Sequence, residues 1–504
     1  MRRPALVLTF LLVLVVPLLP VAPAVASGVS WAPCPEDASA ECGTLTVPVD
    51  WEDPGGPTFE LALARRRATD PAARIGSLVI NPGGPGGSGV DAVLTDPFGF
   101  TPELTSRFDI VGFDPRGVAR SNPILCSQEL YETFPDPLEV RSQAGFEAML
   151  AFNERYRQDC RARTGPLYDH VHTGQVVRDL EALRSALGER RLTYYGISYG
   201  TVIGQLYAER YPGRVRALAL DSVVDHSLGT AAFFDAGSWS AQDAFDEFVA
   251  WCDRTASCAL HGRDVRAVWK DLLARAERGE LHWPGEPDEP LSPLNLIFLG
   301  FRAFYGPYFR ELAAFMAEPD SAGRTVASVL APAAAPADEA EEVVNDGLPI
   351  LCQDFRLPVR DYRDWARYLR RSAKIAPDMR ISGFAQPVAA YCLGSATPNP
   401  QHRLRVTGTP PLLLTGALHD PVTGYPGAVS VARQIGREAR LLAYEGSGHG
   451  VYFRGPCPAA VIDRYLTTLT VPDRGARCPA VPPEELNASR ARPLTVPAPP
   501  GWSR

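Results

Sequence analysis

The sequence predicts an α/β fold, a mostly parallel, doubly wound sheet interrupted by a large helical insertion. Three observations predict it. Short apolar runs alternate with helical periodicity over 77–222 and again over 411–469, the rhythm of strands joined by crossover helices. Between about 230 and 400 the helical period persists while strands become few. A Gly-x-Ser-x-Gly pattern, Gly196-Ile197-Ser198-Tyr199-Gly200, stands where a strand hands over to a helix.

Residues 1–26 carry Arg2 and Arg3, an apolar run over 5–19 and Ala24-Val25-Ala26, the pattern of a cleaved signal peptide. The run is shorter than the roughly 20 residues a spanning helix needs, which argues against a retained anchor, and no cysteine at the cleavage point invites a lipid. A secreted protein with no stable membrane association is expected. Residues 44–67 alternate as an opening strand pair around Asp53-Pro54-Gly55-Gly56. SLVIN (77–81) ends in a glycine-rich loop, and FDIVGF (108–113) is a second buried strand. Val176, Leu180, Leu183 and Leu187 recur at helical spacing over 173–187. LTYYGI (192–197), the helix-like TVIGQLYAERY and RALALDS (216–222) complete the first half. Ala241, Ala244, Phe245, Phe248, Val249 and Cys252 form one apolar helix face, read as packing rather than a binding stripe. An Ala-, Pro- and acid-rich connection covers 317–342, after which PLLLTG (411–416), RLLAYEG (440–446) and a helix near 459–469 resume the rhythm. The expected organisation is therefore a core over 27–229 and 401–480, a helical cap over 230–400 and a Pro-rich tail over 481–504.

Composition narrows the function. The 504 residues are 45% hydrophobic and 21% charged, which fits a globular chain and excludes collagen, coiled coil and wholesale disorder. A net charge of −8 without a basic block speaks against a nucleic-acid partner. The ten cysteines, Cys34, Cys42, Cys126, Cys160, Cys252, Cys258, Cys352, Cys392, Cys457 and Cys478, suit five disulfides in an exported chain. Paired as sequential neighbours they would close short or moderate loops, though sequence leaves connectivity open. With no C-x-x-C and no histidine pair nearby, a zinc site is not expected, nor is any other metal or an organic cofactor.

The chemistry centres on Ser198. A Gly-x-Ser-x-Gly pattern arises by chance roughly 0.2 times in a chain of this composition, so its strand–helix setting carries the argument. Small residues two before and two after the serine let strand and helix pack closely, and the helix N-terminus favours negative charge developing beside the hydroxyl. A serine nucleophile needs a base and an orienting acid, which in this architecture follow in the order Ser, acid, His at the C-terminal ends of strands. Asp420 follows PLLLTG and His449 follows RLLAYE. Of the other histidines, His170, His172, His226, His261, His282 and His402 follow no late core strand, and His419 belongs to the acid's own loop. The loop Asn81-Pro82-Gly83-Gly84-Pro85-Gly86-Gly87-Ser88-Gly89 offers amides to an oxyanion, with Gly84 N–H and Tyr199 N–H as the expected donors. It lacks the G-K-[ST] ending of a phosphate loop. The long stretch between Ser198 and Asp420 leaves room for a cap after LALDS that would restrict access to short peptides or small esters.

The NPGGPGGSG loop, FDPRGVARSNP (113–123), YYGISYGT (194–201), LALDSVVD (218–225), LTGALHDPVT (414–423) and GSGHG (446–450) together resemble secreted actinobacterial tripeptidyl aminopeptidases. These belong to the proline-iminopeptidase-like branch of the α/β-hydrolases. The stretch around Cys457 and Cys478 looks like that group's C-terminal domain. Thr423-Gly424-Tyr425-Pro426, where many relatives have Thr-Pro, and LDSVVDH, where a Gly commonly follows the first Asp, depart from the pattern. The resemblance implies an α/β-hydrolase fold with Ser198 as nucleophile, Asp420 as acid, His449 as general base, Gly84 and Tyr199 as oxyanion hole, and Arg116 as a structural loop clamp. It implies a serine exopeptidase that releases short peptides from free N-termini, with a carboxylesterase of the same machinery or a non-catalytic binding protein on the same scaffold as alternatives. An aminopeptidase needs an anion for the substrate's amine, and Asp225 and Asp354 are the candidates.

Overall fold

A ten-stranded sheet organises the chain. The computed structural model describes residues 28–96, 98–283, 286–319, 337–338 and 343–486. The expected signal peptide, most of the connection at 317–342 and the tail beyond 486 lie outside the described residues. The sheet is built from β1 (Ala32–Pro33), β2 (Glu41–Pro48), β3 (Thr58–Arg66), β4 (Gly76–Asn81) and β5 (Phe108–Phe113). Short β6 (Leu125–Ser127) lies outside it, before β7 (Leu192–Ile197) and β8 (Val215–Asp221). Four further short strands fall in the insertion: β9 (His282–Trp283), β10 (Glu286–Pro290), β11 (Ala337–Asp338) and β12 (Val343–Asn345). β13 (Leu412–His419), β14 (Ala439–Ser447) and β15 (Arg477–Cys478) finish the sheet.

The sheet order is β1-β2-β3-β5-β4-β7-β8-β13-β14-β15. β1, β2 and β3 form an antiparallel edge joined antiparallel to β5, and every pairing from β5 through β15 is parallel. β4, β5 and β7 are buried at every residue, as parallel strands covered on both faces must be. The two-residue side-chain period sorts them between layers: Val79 joins the apolar cluster on one face, Leu78 and Ile80 that on the other. The chain leaves β4 toward β5 and returns on the other side at β7, so the loops after β4 and β7 face one another across the switch point. The register pairs Asn81 with Gly196 there.

Arg116 is fully buried and spends its guanidinium on Asp179 (2.7 Å to both carboxylate oxygens) and on the carbonyls of Pro48, Val49 and His170. It clamps the end of β2 to the helix Thr173–Ala186; a buried charge pair is sustained only when its remaining donors are met in this way. The cysteines pair as sequential neighbours: Cys34–Cys42, Cys126–Cys160, Cys252–Cys258, Cys352–Cys392 and Cys457–Cys478. Among the described residues no helix is long and apolar enough to cross a membrane.

The insertion between β8 and β13 divides between two cores. Buried residues from Ala241 to Met316, joined by Ala376, Met379 and Ile381, form a cluster of their own. The segment Leu348–Trp365 and Val388–Leu393 instead join the large cluster under the main sheet, and β12 pairs antiparallel with β6.

Candidate active site

Ser198 sits at the turn after β7 with φ +56°, a left-handed backbone that costs a non-glycine residue on the order of 1–3 kcal/mol. Hydrogen bonds hold it there: Ser198 N–H donates to Asp221 O (2.8 Å), and Ser198 O accepts from Thr201 N–H (2.8 Å). The flanking glycines are needed for space. A Cβ on Gly196 would lie 2.6 Å from Gly200 O, and one on Gly200 would lie 2.7 Å from Asn81 Oδ1. The helix Gly200–Arg210 starts directly behind the serine and brings its positive N-terminal end to the hydroxyl.

The glycine-rich loop after β4 backs onto this turn. A Cβ on Gly83 would fall 2.4 Å from Ile197 O and 3.1 Å from Tyr199 N, so only glycine permits the approach. Gly83 N–H donates to Asn81 Oδ1 at 3.0 Å, and Gly87 N–H to Gly83 O at 3.1 Å. No protein acceptor is met by the Gly84 or Tyr199 amide among the described residues.

Asp420 and His449 are fully buried and bonded, with His449 Nδ1 2.9 Å from Oδ2 and 3.1 Å from Oδ1 of Asp420. The carboxylate also accepts from Val422 N–H (2.9 Å), Thr423 N–H (3.0 Å) and the Thr423 hydroxyl (2.8 Å). Burial pushes the Asp420 carboxyl up, but the facing imidazole and these donors outweigh it and hold it below its ordinary value. With Nδ1 occupied by the acid, the buried Nε2 has no hydrogen-bond partner among the described residues, Ser198 Oγ included. This is the nitrogen a serine proton would reach.

Two residues passed over in the sequence shape this geometry. The Thr423 hydroxyl bonds Asp420 and lies 3.4 Å from His449 Nδ1. Asp221, at the end of β8, ties the nucleophile turn to β7, to β13 and to the histidine loop. Its carbonyl takes Ser198 N–H, and its carboxylate takes Thr415 Oγ1 (2.6 Å), Tyr195 OH (2.7 Å) and the amides of Val451 and Tyr452 (2.9 Å each at the shortest). The Ser222 hydroxyl accepts from Gly450 N–H at 2.8 Å, so the histidine loop is pinned to the strand beside the nucleophile turn. An acid at a strand's C-terminal end, as in LALDS, was the available signal.

Ser198, Gly84, Tyr199, Thr423 and Asp225 line one cavity of about 400 Å³, whose remaining wall is mostly apolar and aromatic. Asp225 Oδ1 accepts from Ser227 N–H (2.9 Å), Ser227 Oγ (2.6 Å) and Gln434 Nε2 (3.2 Å), while its buried Oδ2 has no partner among the described residues. Asp235 lines the cavity too, but both its oxygens are taken by Arg371, at 2.5 and 2.6 Å. Asp354, the other expected amine anchor, does not line the cavity. Its carboxylate is fully buried and accepts from Thr173 N–H (3.1 Å), Thr173 Oγ1 (2.8 Å), Tyr199 OH and Asn399 Nδ2. Those four donors leave it nothing to offer a substrate. Among the described residues no cluster of three or more His, Cys, Asp or Glu side chains is arranged to hold a metal ion.

Residues 76–456 match the family model described as the alpha/beta hydrolase fold. The chain is 34% identical to the serine protease Hip1 of Mycobacterium tuberculosis over 486 residues, 90% of this chain and 92% of that protein. It is 32% identical to the tripeptidyl aminopeptidase of Streptomyces lividans over 489 residues, 90% of this chain and 87% of that protein. Its identity to the carboxylesterase B of Mycobacterium tuberculosis is also 32%, over 485 residues and 91% of each chain.

Proposed function

From the premise that the chain belongs to the α/β-hydrolase family and is a serine hydrolase, we propose that it is a secreted exopeptidase that removes short peptides from free N-termini, Ser198, His449 and Asp420 being its catalytic triad. In this reading Ser198 Oγ attacks the scissile carbonyl and passes its proton to His449 Nε2. Asp420 holds the ring so that this nitrogen faces the serine and stabilises the imidazolium that forms. The Gly84 and Tyr199 amides meet the developing oxyanion, an interaction whose loss typically costs about 10²–10³ in rate. His449 returns the proton to the leaving amine, and water then repeats the sequence on the acyl-enzyme.

Asp225 carries the exopeptidase reading. It is the cavity acid with an unpaired buried oxygen and no cationic partner, and a buried carboxylate oxygen left unmatched is costly until a cation or donor reaches it. A substrate's α-ammonium supplies both charge and donors. The names of the relatives, a serine protease and a tripeptidyl aminopeptidase, support a peptide substrate. The otherwise apolar wall, with the likeness to a carboxylesterase, favours small esters as the second reading.

Turnover of a tripeptide amide compared with its N-acetyl form separates the two. The expected result is a loss of tenfold or more on acetylation, with Asp225→Asn raising KM for the free peptide and not for the acetylated one. Equal rates for both peptides would end the exopeptidase reading and leave the esterase. Export is tested by following the full chain in a secreting host, where a product in the medium shortened by residues 1–26 is expected.

A further inference from the structure

We infer that Asp354 is a positioning residue for the oxyanion hole, and that the short helix carrying it sets the two donor amides from behind. The inference rests on the assignment of the Gly84 and Tyr199 amides as those donors, and not on the identity of the substrate.

The helix Leu348–Asp354 is about 10 Å long and lies between Tyr199 and the loop that carries Gly84. Next to its N-terminus, Gly347 lies against the glycine-rich loop, where a Cβ at 347 would fall 2.7 Å from Pro85 O and 2.8 Å from Gly86 Cα. That contact is one and two residues from Gly84. At its C-terminus, Asp354 takes the Tyr199 hydroxyl, which also lies 2.7 Å from Thr173 Oγ1. Tyr199 therefore lines the cavity while its side-chain hydroxyl is held by a buried acid. The acid is held in turn: the amide and hydroxyl of Thr173, at the start of the helix Thr173–Ala186, place the carboxylate at a helix N-terminus, where negative charge is favoured.

The helix has little freedom of its own. Cys352 is bonded to Cys392, Gln353 Nε2 donates to Tyr168 O (2.6 Å) and the Gln353 backbone carbonyl accepts from Asn399 N–H (3.1 Å). His226 Nε2 lies 2.8 Å from Asp354 O. Just before it, Asp346 accepts from Tyr156 OH (2.9 Å) and Tyr391 OH (2.6 Å). A rigid element that meets Tyr199 at one end and the loop carrying Gly84 at the other fixes the separation of the two donors, and oxyanion stabilisation depends on that preorganisation.

The test uses the full chain and an activated ester such as p-nitrophenyl acetate, which an esterase and a serine peptidase both hydrolyse. Tyr199→Phe removes only the hydroxyl, Asp354→Asn removes the charge and turns one of the two acceptor oxygens into a donor, and Gly347→Ala presses on the other donor's loop. Each is expected to lower kcat about tenfold or more with KM within twofold. Affinity for a peptidyl boronate, which mimics the tetrahedral species, should fall by the factor lost in kcat/KM. The Tyr199→Phe/Asp354→Asn double variant should be no slower than the worse single one. Unchanged kcat in Tyr199→Phe, single effects that multiply, or losses confined to KM would overturn the inference. Because Tyr199→Phe keeps the ring and its packing, it decides the matter even if Asp354→Asn fails to fold. Equal hydrolysis of free and N-acetylated peptides would end the exopeptidase reading while leaving these outcomes as they stand.

Discussion

The two parts of the insertion between β8 and β13 are built to different purposes. The outer part, centred on the helices Thr230–Arg254, Val265–Glu277, Pro293–Tyr305 and Phe309–Ala317, packs around its own cluster of Phe245, Phe248, Trp251, Trp269 and Phe304. It contributes walls such as Trp239 and Phe301 to the cavity. The inner part, Leu348–Trp365 with Val388–Leu393, shares the core of the main sheet and reaches the proposed oxyanion donors. An insertion continuous in sequence thus packs on two cores, joined where Phe234 of the helix Thr230–Arg254 meets Trp365, one part able to shape what enters and the other bound to the chemistry.

Two fully buried tryptophans, one in each part, offer the strongest way to break this contrast. Trp269 packs against Phe245 with ring centres 5.5 Å apart, and Trp365 lies 6.0 Å from Phe234. Truncating either to alanine should cost about 3–5 kcal/mol. Trp269→Ala is expected to melt the outer part in a separate early transition while Ser198 still reacts with a small fluorophosphonate. Trp365→Ala is expected to lower the main transition and labelling together. A single shared transition in both variants, with labelling lost alike, would show that the parts are one unit. The disulfides sharpen the contrast at smaller cost. Cys352–Cys392 closes a separation of 40 residues and Cys252–Cys258 one of 6. Loop-closure entropy assigns them about 4 and about 2 kcal/mol. Paired serine replacements, compared by urea unfolding, should keep that order, and only the 352/392 pair should lower kcat.

The sequence carried the sheet's rhythm because buried parallel strands read as continuous apolar runs, and it placed Ser198, Asp420 and His449 at the ends of β7, β13 and β14 because strand ends are marked locally. The glycine pattern around Ser198 was equally legible, since it lies in one short run, with Gly196 making room for Gly200 O and Gly200 for Asn81 of β4. What it could not carry were contacts made by several distant segments at once. Asp221 and Asp354 each gather donors from far-separated stretches, and no period or spacing announces that. Asp225 and Asp354 look alike as sequence, acids near apolar runs, and only the donors around each separate a carboxylate with one unpartnered oxygen from a satisfied one. The division of the insertion escaped for the same reason: helical periodicity shows that a face is buried, not against which core.

The smallest expected effect lies at the seam between the outer part and the sheet. His419, at the end of β13 beside Asp420, has Nδ1 3.0 Å from Asp243 Oδ2 and Nε2 3.9 Å from Glu247 Oε2, both on the helix Thr230–Arg254. Burial lowers the affinity of this imidazole for a proton, and Arg254 does so further. The bond to Asp243 and the charges of Asp243 and Glu247 outweigh them, so its pKa is raised above the ordinary 6.5. The folded state then binds the proton more tightly than the unfolded chain. The stabilisation is fully present below the ordinary histidine value and is lost as pH rises through the raised one. Thermal unfolding of the outer part should therefore shift to lower temperature as pH climbs through that window. In His419→Gln that dependence should flatten, while a retained slope would assign it to another group. A latch of this kind loosens only the part that shapes entry, so the pH response of its melting should separate from that of the core around Trp365.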